Sequence, residues 1–206
     1  MRIVCLSDTH GLHGKLAVPD GDLLVHAGDF SMNGRPEEIE RFDAWLASLP
    51  HRHKIVIAGN HDFLFEHEPE RARRLLPSAT YLRDELAEVA GLRVWGSPWQ
   101  PWFYDWAFNL PRGPALAAKW ELIPDGVDVL VTHGPPHGVL DRTVRGEAVG
   151  CEELTLALAR VRPRLHVFGH IHEACGRLER DGTTFVNASN LDVRYRPVQA
   201  PVVVEW

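Results

Sequence analysis

The chain has 206 residues, 45% of them hydrophobic, with no repeat, low-complexity tract or linker-like run, so it reads as one domain spanning 1–206. Its 22 basic and 28 acidic residues leave a formal net charge of −6, which excludes a broad basic surface for general nucleic-acid binding. Cys5, Cys151 and Cys175 are odd in number and lack metal-ligand or redox spacing, which argues against a disulfide framework. The first apolar run reaches Asp8 too soon to leave room for a signal peptide or a membrane span, so a cytoplasmic protein is expected.

The first buried strand is predicted at 3–6 and ends in Asp8-Thr9-His10. A second, at 22–27, ends in Gly28-Asp29. Pro36 suits the first turn of a helix running to about 49, with Ile39, Phe42, Leu46 and Leu49 recurring at helical spacing. A third strand, 54–58, ends in Gly59-Asn60-His61-Asp62. Seven aromatic residues then fall between Trp95 and Phe108. They read as a loop that brings its own packing, or as rings that stack on a nucleobase. Pro114 opens a second helix to about 122, and the strand at 127–131 ends in Thr132-His133-Gly134. Cys151, Leu154, Leu158 and Val161 mark a third helix, stopped by Pro163. The strand at 165–168 ends in Gly169-His170-Ile171-His172. Strands near 183–187 and 202–205 have no helix between them, so part of the sheet system is antiparallel. Patterning alone supports α/β or α+β.

A polar pair at one strand end is usually a turn. Five such clusters in a row, each closing an apolar run, would meet at one sheet edge. Pooled, Asp8, His10, Asp29, Asn60, His133, His170 and His172 offer two carboxylates, one amide and four imidazoles, an inventory suited to two divalent metals. Nitrogen and oxygen ligands without thiolate favour Mn²⁺, Fe²⁺ or Zn²⁺ over Ca²⁺ or Mg²⁺, with Mn²⁺ ranked first. Asp8 and His10, two apart, would share one ion if extended. Asp29, with two oxygens, suits a bridge. His51 and His53 read as solvated, His26 and His166 as core or supporting groups, and His13, His67 and His137 as loop residues near the cleft.

The blocks, in this order, resemble the calcineurin-like metallophosphoesterase superfamily. A tighter likeness, to the metallophosphoesterase-domain-containing proteins and their bacterial relatives, rests on Leu6-Ser7-Asp8-Thr9-His10, His26-Ala27-Gly28-Asp29-Phe30, Gly96-Ser97-Pro98-Trp99-Gln100-Pro101-Trp102, Phe108-Asn109-Leu110-Pro111-Arg112-Gly113, Thr132-His133-Gly134-Pro135-Pro136 and Val186-Asn187-Ala188-Ser189. The resemblance implies an α/β fold in the form of a four-layer α/β/β/α sandwich of two mixed sheets. It assigns Asp8, His10 and His172 to one metal and Asn60, His133 and His170 to the other, with Asp29 between them. Some animal members carry Gly at the first His of the last block; His170 here implies full metal occupancy.

The implied activity is hydrolysis of small phosphodiesters such as cyclic nucleotides, by in-line attack of a metal-bridging hydroxide. His61, beside Asn60, is the expected proton donor, and Arg112 and Trp99 are candidate substrate contacts. The same site also suits a nuclease or a broad phosphomonoesterase, and the fold can serve as a non-catalytic scaffold. A protein Ser/Thr phosphatase fits less well, because Gly28-Asp29 continues into Phe30-Ser31-Met32. A small phosphodiester is the expected partner; sequence does not fix the oligomeric state.

Overall fold

A computed structural model describes residues 1–206. Its strands are β1 (Arg2–Leu6), β2 (Leu23–His26), β3 (His53–Val56), β4 (Thr80–Tyr81), β5 (Glu85–Val89), β6 (Leu92–Ser97), β7 (Gln100–Pro101), β8 (Asn109–Leu110), β9 (Val129–Thr132), β10 (Leu165–Phe168), β11 (Gly176–Arg180), β12 (Thr183–Asn187) and β13 (Val202–Glu205). The helices are α1 (Pro36–Ser48), α2 (Phe63–His67), α3 (Pro69–Arg74), α4 (Pro114–Glu121) and α5 (Glu152–Val161). One sheet has the order β13-β1-β2-β3-β4 and the other β11-β12-β10-β9-β6-β5. Both are mixed: β13, β11 and β5 run antiparallel to their neighbours, and the inner strands are parallel.

The strands alternate their side chains between two buried layers, as a period of two requires. Ile3, Cys5, Leu23, Val25, Ile55 and Ile57 point inward and meet Val129, Val131, Val167 and Val186 of the second sheet. Val4, Leu6, Leu24 and Val56 point outward and are covered by Ile39, Phe42 and Leu46 of α1 and Phe65 of α2. On the far side, Trp95 and Leu130 are covered by Leu116 and Trp120 of α4 and Leu154 and Val161 of α5. The result is the four-layer α/β/β/α arrangement. No helix is long and apolar enough to cross a membrane.

Local chemistry accounts for the helix ends. Pro36 begins α1, and Glu38 reaches back to the Arg35 N–H at 3.0 Å, as in a capping box. Cys151 caps α5: its sulfur accepts from the Leu154 N–H at 3.4 Å and from the Trp120 indole at 3.3 Å. The β5–β6 hairpin escapes the sequence pattern. Its two-residue turn, Ala90-Gly91, has φ of +53° and +80°, a mirror-image turn that Ala does not signal.

The parallel registers set the site. Leu6 pairs with His26 and His26 with Val56, so β1, β2 and β3 end level; Val167 pairs with Val131 across β10 and β9. A bridge between Ser7 and Ser189 ties the exit of β1 to the segment after β12.

Candidate metal centre

Loops leaving β1, β2, β3, β9 and β10 bring the polar blocks together. The ligand-type atoms of Asp8, His10 and His172 lie within 4.8 Å of one another, as do those of Asp8, Asp29 and His133 and those of His10, Asp29 and His61. Asp29 stands in the middle, its Oδ2 3.4 Å from His133 Nε2 and 3.8 Å from His10 Nε2. Asn60 joins through Oδ1, 2.9 Å from His133 Nε2. His170 stands at the edge, its ring centroid 5.0 Å from that of His133.

Asp8 and His10 are not extended. Asp8, His10, Asp29 and His170 have φ of +54°, +41°, +56° and +68°. Asp and His enter this left-handed region more readily than most residues, but it is strained and persists only where neighbours enforce it. Here they do. Asp8 N–H donates to Gly28 O and His10 N–H to Asp29 O, both at 2.9 Å. The His170 N–H donates to the Asp8 carboxylate at 2.9 Å. Two glycines permit this closeness: a Cβ on Gly169 would collide with Asp8 and Ser7, and one on Gly59 with Asp29 and His133.

Further buried residues brace the candidate ligands. Asp62 is fully buried and accepts from the Asp29 and Gly59 N–H groups at 2.8 Å and from the Ser31 hydroxyl at 2.6 Å. Burial and the Asp29 charge push its carboxyl up to about 7, against the pull of those donors. Ser189 Oγ lies 2.8 Å from Asp8 Oδ2, and Asn187 holds the Ser189 N–H at 3.2 Å. His26 and His166 serve matching roles in the two sheets. His26 Nε2 meets Thr9 Oγ1 at 3.1 Å and His166 Nε2 meets Thr132 Oγ1 at 2.8 Å, each securing the residue before a candidate ligand.

The donor set fits divalent cations. His133 Nδ1 donates to Ala27 O at 2.9 Å and His172 Nδ1 to Asp192 O at 3.1 Å. With Nδ1 so occupied, each ring turns Nε2 toward the carboxylates, the arrangement that orients metal-binding imidazoles. His10 Nε2 and His172 Nε2 approach to 3.4 Å, two basic nitrogens aimed at shared space. The electrostatics agree. Burial opposes charge throughout, yet the surrounding imidazoles carry the Asp8 and Asp29 carboxyls well below the usual range. In turn, against burial, the carboxylates raise His133 and His172 to about 9. His10 and His170 stay neutral, lowered by burial to about 4 and about 3. Bound cations would take the place of those two protons.

Aromatic rings wall the cleft. Trp106 packs on His61 with centroids 4.1 Å apart, and the Phe103 and His170 rings stand nearly perpendicular with centroids 6.2 Å apart. Tyr195 approaches His10 to 4.9 Å, and burial and the Asp29 and Asp8 charges push its phenol up. A cavity of about 390 Å³ opens beside His170, with Trp102, Phe103, Pro135, Arg112 and Glu173 among its walls. Arg112 lines it while donating to Val149 O and Gly150 O at 2.8 Å, so it also holds that loop.

Several expectations need correction. Trp99 does not line this cavity. Its indole donates to Asp84 at 2.8 Å, and Lys119 lies 4.3 Å over its ring, a packing role between the helices and the sheet. Of the other rings in this segment, Trp95 and Phe108 are core, while Trp102, Phe103 and Tyr104 are exposed. His51 is buried rather than solvated, and His13 is buried against Phe42 and Trp45. The sequence pattern gave no individual role to Tyr195 or Ser189, and marked Trp106 only as one ring of the aromatic segment. Ser189 left a trace as part of a block shared with relatives; Tyr195 left none.

With candidate ligands at the strand ends of a sandwich of two mixed sheets, the class is that of a metallophosphoesterase, and comparison with known proteins agrees. The chain belongs to the calcineurin-like phosphoesterase family, whose model matches residues 1–174. It is 48% identical to metallophosphoesterase domain-containing protein 1 of Homo sapiens, over 99% of this chain and 70% of that protein. It is 29% identical, over 78% of its length and 62% of the relative's, to a probable cyclic nucleotide phosphodiesterase of Synechococcus sp.. Among solved structures, TT1561 of Thermus thermophilus aligns with a TM-score of 0.65 at 18% identity, covering 98% of this chain and 97% of that one.

Proposed function

We propose that the chain hydrolyses small phosphodiesters, cyclic nucleotides first among them, with two divalent transition metals, Mn²⁺ ahead of Fe²⁺ and Zn²⁺. The observation that carries this reading is the position of Asp29, whose Oδ2 lies 3.8 Å from His10 Nε2 and 3.4 Å from His133 Nε2, within reach of both candidate ligand groups. Asp8, His10 and His172 would hold one cation with Asp29; Asn60, His133 and His170 would hold the second with it. Such a pair supplies Lewis acidity to phosphoryl oxygens and lowers the pKa of water to make a nucleophile.

The chain supplies positioning and a proton. His61 Nδ1 donates to Met32 O at 2.8 Å, which fixes the ring and leaves Nε2 toward the cleft. In its protonated form, Nε2 delivers a proton to the leaving oxygen. Trp106 limits where that ring can turn. The exposed rings and Arg112 favour an aromatic, singly charged ester. The Synechococcus relative's name supports a diester.

The test is a panel of diesters and monoesters assayed with Mn²⁺-loaded protein. Bis(p-nitrophenyl) phosphate and at least one cyclic nucleotide should be cleaved faster than the matching monoesters, and chelation should abolish turnover. A preference for monoesters throughout would reject the diesterase reading.

A further inference from the structure

The segment from Asn190 to Gln199 supplies none of the candidate ligands, yet it is fastened to one of them and to the residue before another. At its stem, the Asn190 N–H donates to Ser7 O at 3.0 Å, and the Asn190 side-chain carbonyl accepts from the Ser7 N–H at 3.3 Å. Ser7 is the residue before Asp8. At its tip, the Asp192 carboxylate accepts from the N–H groups of Arg194 and Arg196 at 2.9 and 3.0 Å and from the Arg196 guanidinium at 2.8 and 2.5 Å. Asp192 N–H donates to Arg196 O at 3.0 Å, and Tyr195 N–H to Asp192 O at 2.8 Å. The same Asp192 carbonyl accepts His172 Nδ1 at 3.1 Å. One residue therefore closes the loop and orients a ligand.

This clasp fixes Tyr195 in an unusual posture. Its φ is +56°, in the region bulky side chains avoid, and its ring is turned back over the centre. The centroid stands 4.9 Å from His10 and 5.7 Å from His172, edge-on to both. The residue is 40% exposed, and its hydroxyl bonds to no protein group, so an exposed O–H donor is left at the mouth of an anion-binding centre.

We propose that Tyr195 is a substrate-binding residue, its phenol O–H donating to a phosphoryl oxygen, and that the Asp192–Arg196 clasp is the positioning device that holds it there. The proposal rests on the phosphoesterase reading but extends to any phosphate bound at the centre, including the inorganic ion.

The probe is therefore inorganic phosphate, titrated calorimetrically into the Mn²⁺-loaded full chain, beside metal content and steady-state kinetics. Tyr195→Phe keeps the ring and removes the donor. It should keep the wild-type metal content, weaken phosphate about tenfold and raise KM with kcat little changed. Arg196→Gln should weaken phosphate similarly, and the double variant no further, because both changes act through one hydroxyl. Unchanged phosphate affinity in Tyr195→Phe overturns the proposal. So does a wild-type protein that takes up metal but no phosphate, or an Arg196→Gln whose only defect is lost metal, which would make the loop a support for His172 alone. A wild-type protein that binds phosphate but cleaves no ester would reject the hydrolase reading and leave the Tyr195 result standing.

Discussion

At the centre of the cleft, Asp29 accepts the His61 N–H at 2.8 Å on one oxygen, while its own N–H is held by Asp62. At the rim, Trp102, Phe103 and Tyr104 are 67%, 52% and 68% exposed, and what shapes them is a pair of bonds from Asn109 Nδ2 to the Phe103 and Tyr104 carbonyls. The centre is thus specified by side chains that fit one backbone path, with glycines where a Cβ would collide. The rim is specified by its backbone turn, and the rings are free to answer a ligand. Substitutions at the centre should be felt through the metals; those at the rim, through substrate affinity or not at all.

The largest break comes from Asp29→Asn. The shape survives, but a charge is removed and an NH₂ donor is set against either the His61 N–H or the imidazole nitrogens. Metal per chain should fall from two to below one. Hydrolysis should drop by more than the roughly 10–100-fold that changes to supporting residues cost. Elemental analysis beside kcat/KM is the check. His10→Ala should empty only one position. Two retained metals with normal turnover in Asp29→Asn would dissolve the distinction between centre and rim.

The same division explains what could be read from the sequence. Asp8, His10, Asp29, Asn60, His133, His170 and His172 stood out because each block closes an apolar run at a strand end, whereas patterning went no further than α/β or α+β and the two sheets came from the family resemblance. The bracing residues were harder to read. Asp62 lies inside a motif, yet nothing in its spacing says that it holds Asp29 rather than His61. His26 and Thr9 are seventeen positions apart and meet only because β1 and β2 are neighbours. Trp99 and Phe103 are both aromatic in one segment, and their separation into packing and rim depends on Asp84 and Lys119, which are distant in the chain.

A smaller effect is expected one step out from the ligands. Ser189→Ala removes the hydroxyl at Asp8 Oδ2 and leaves the Ser189 N–H on Asn187. Affinity at the position held by Asp8 should weaken about 10–100-fold, while the fold is kept. A Mn²⁺ titration should therefore show one weakened and one near-normal site. Equal weakening of both would mean that Asp8 and Asp29 respond as a single unit, and the two-position picture of the centre would need to be redrawn.

The smallest effects divide the aromatic segment itself. Trp99→Phe keeps a ring beside Phe108 but removes a hydrogen bond to Asp84, whose carboxylate retains Lys119 and the Ser97 hydroxyl. A bond to a charged group that is partly replaced is worth about 1–2 kcal/mol, or roughly 3–6 °C in Tm for a chain of this size. Turnover should be unchanged, because Trp99 faces the ion pair rather than the cavity. Phe103→Ala should behave oppositely. Its half-exposed ring contributes little to the core, so Tm should hold, while loss of a stacking surface worth about 1 kcal/mol should raise KM roughly fivefold on a nucleotide diester. On bis(p-nitrophenyl) phosphate the change should be smaller if the ring serves the base. Thermal melts and KM values on the two substrates measure both variants together. If Trp99→Phe raised KM and Phe103→Ala only lowered Tm, the packing and rim roles would be exchanged.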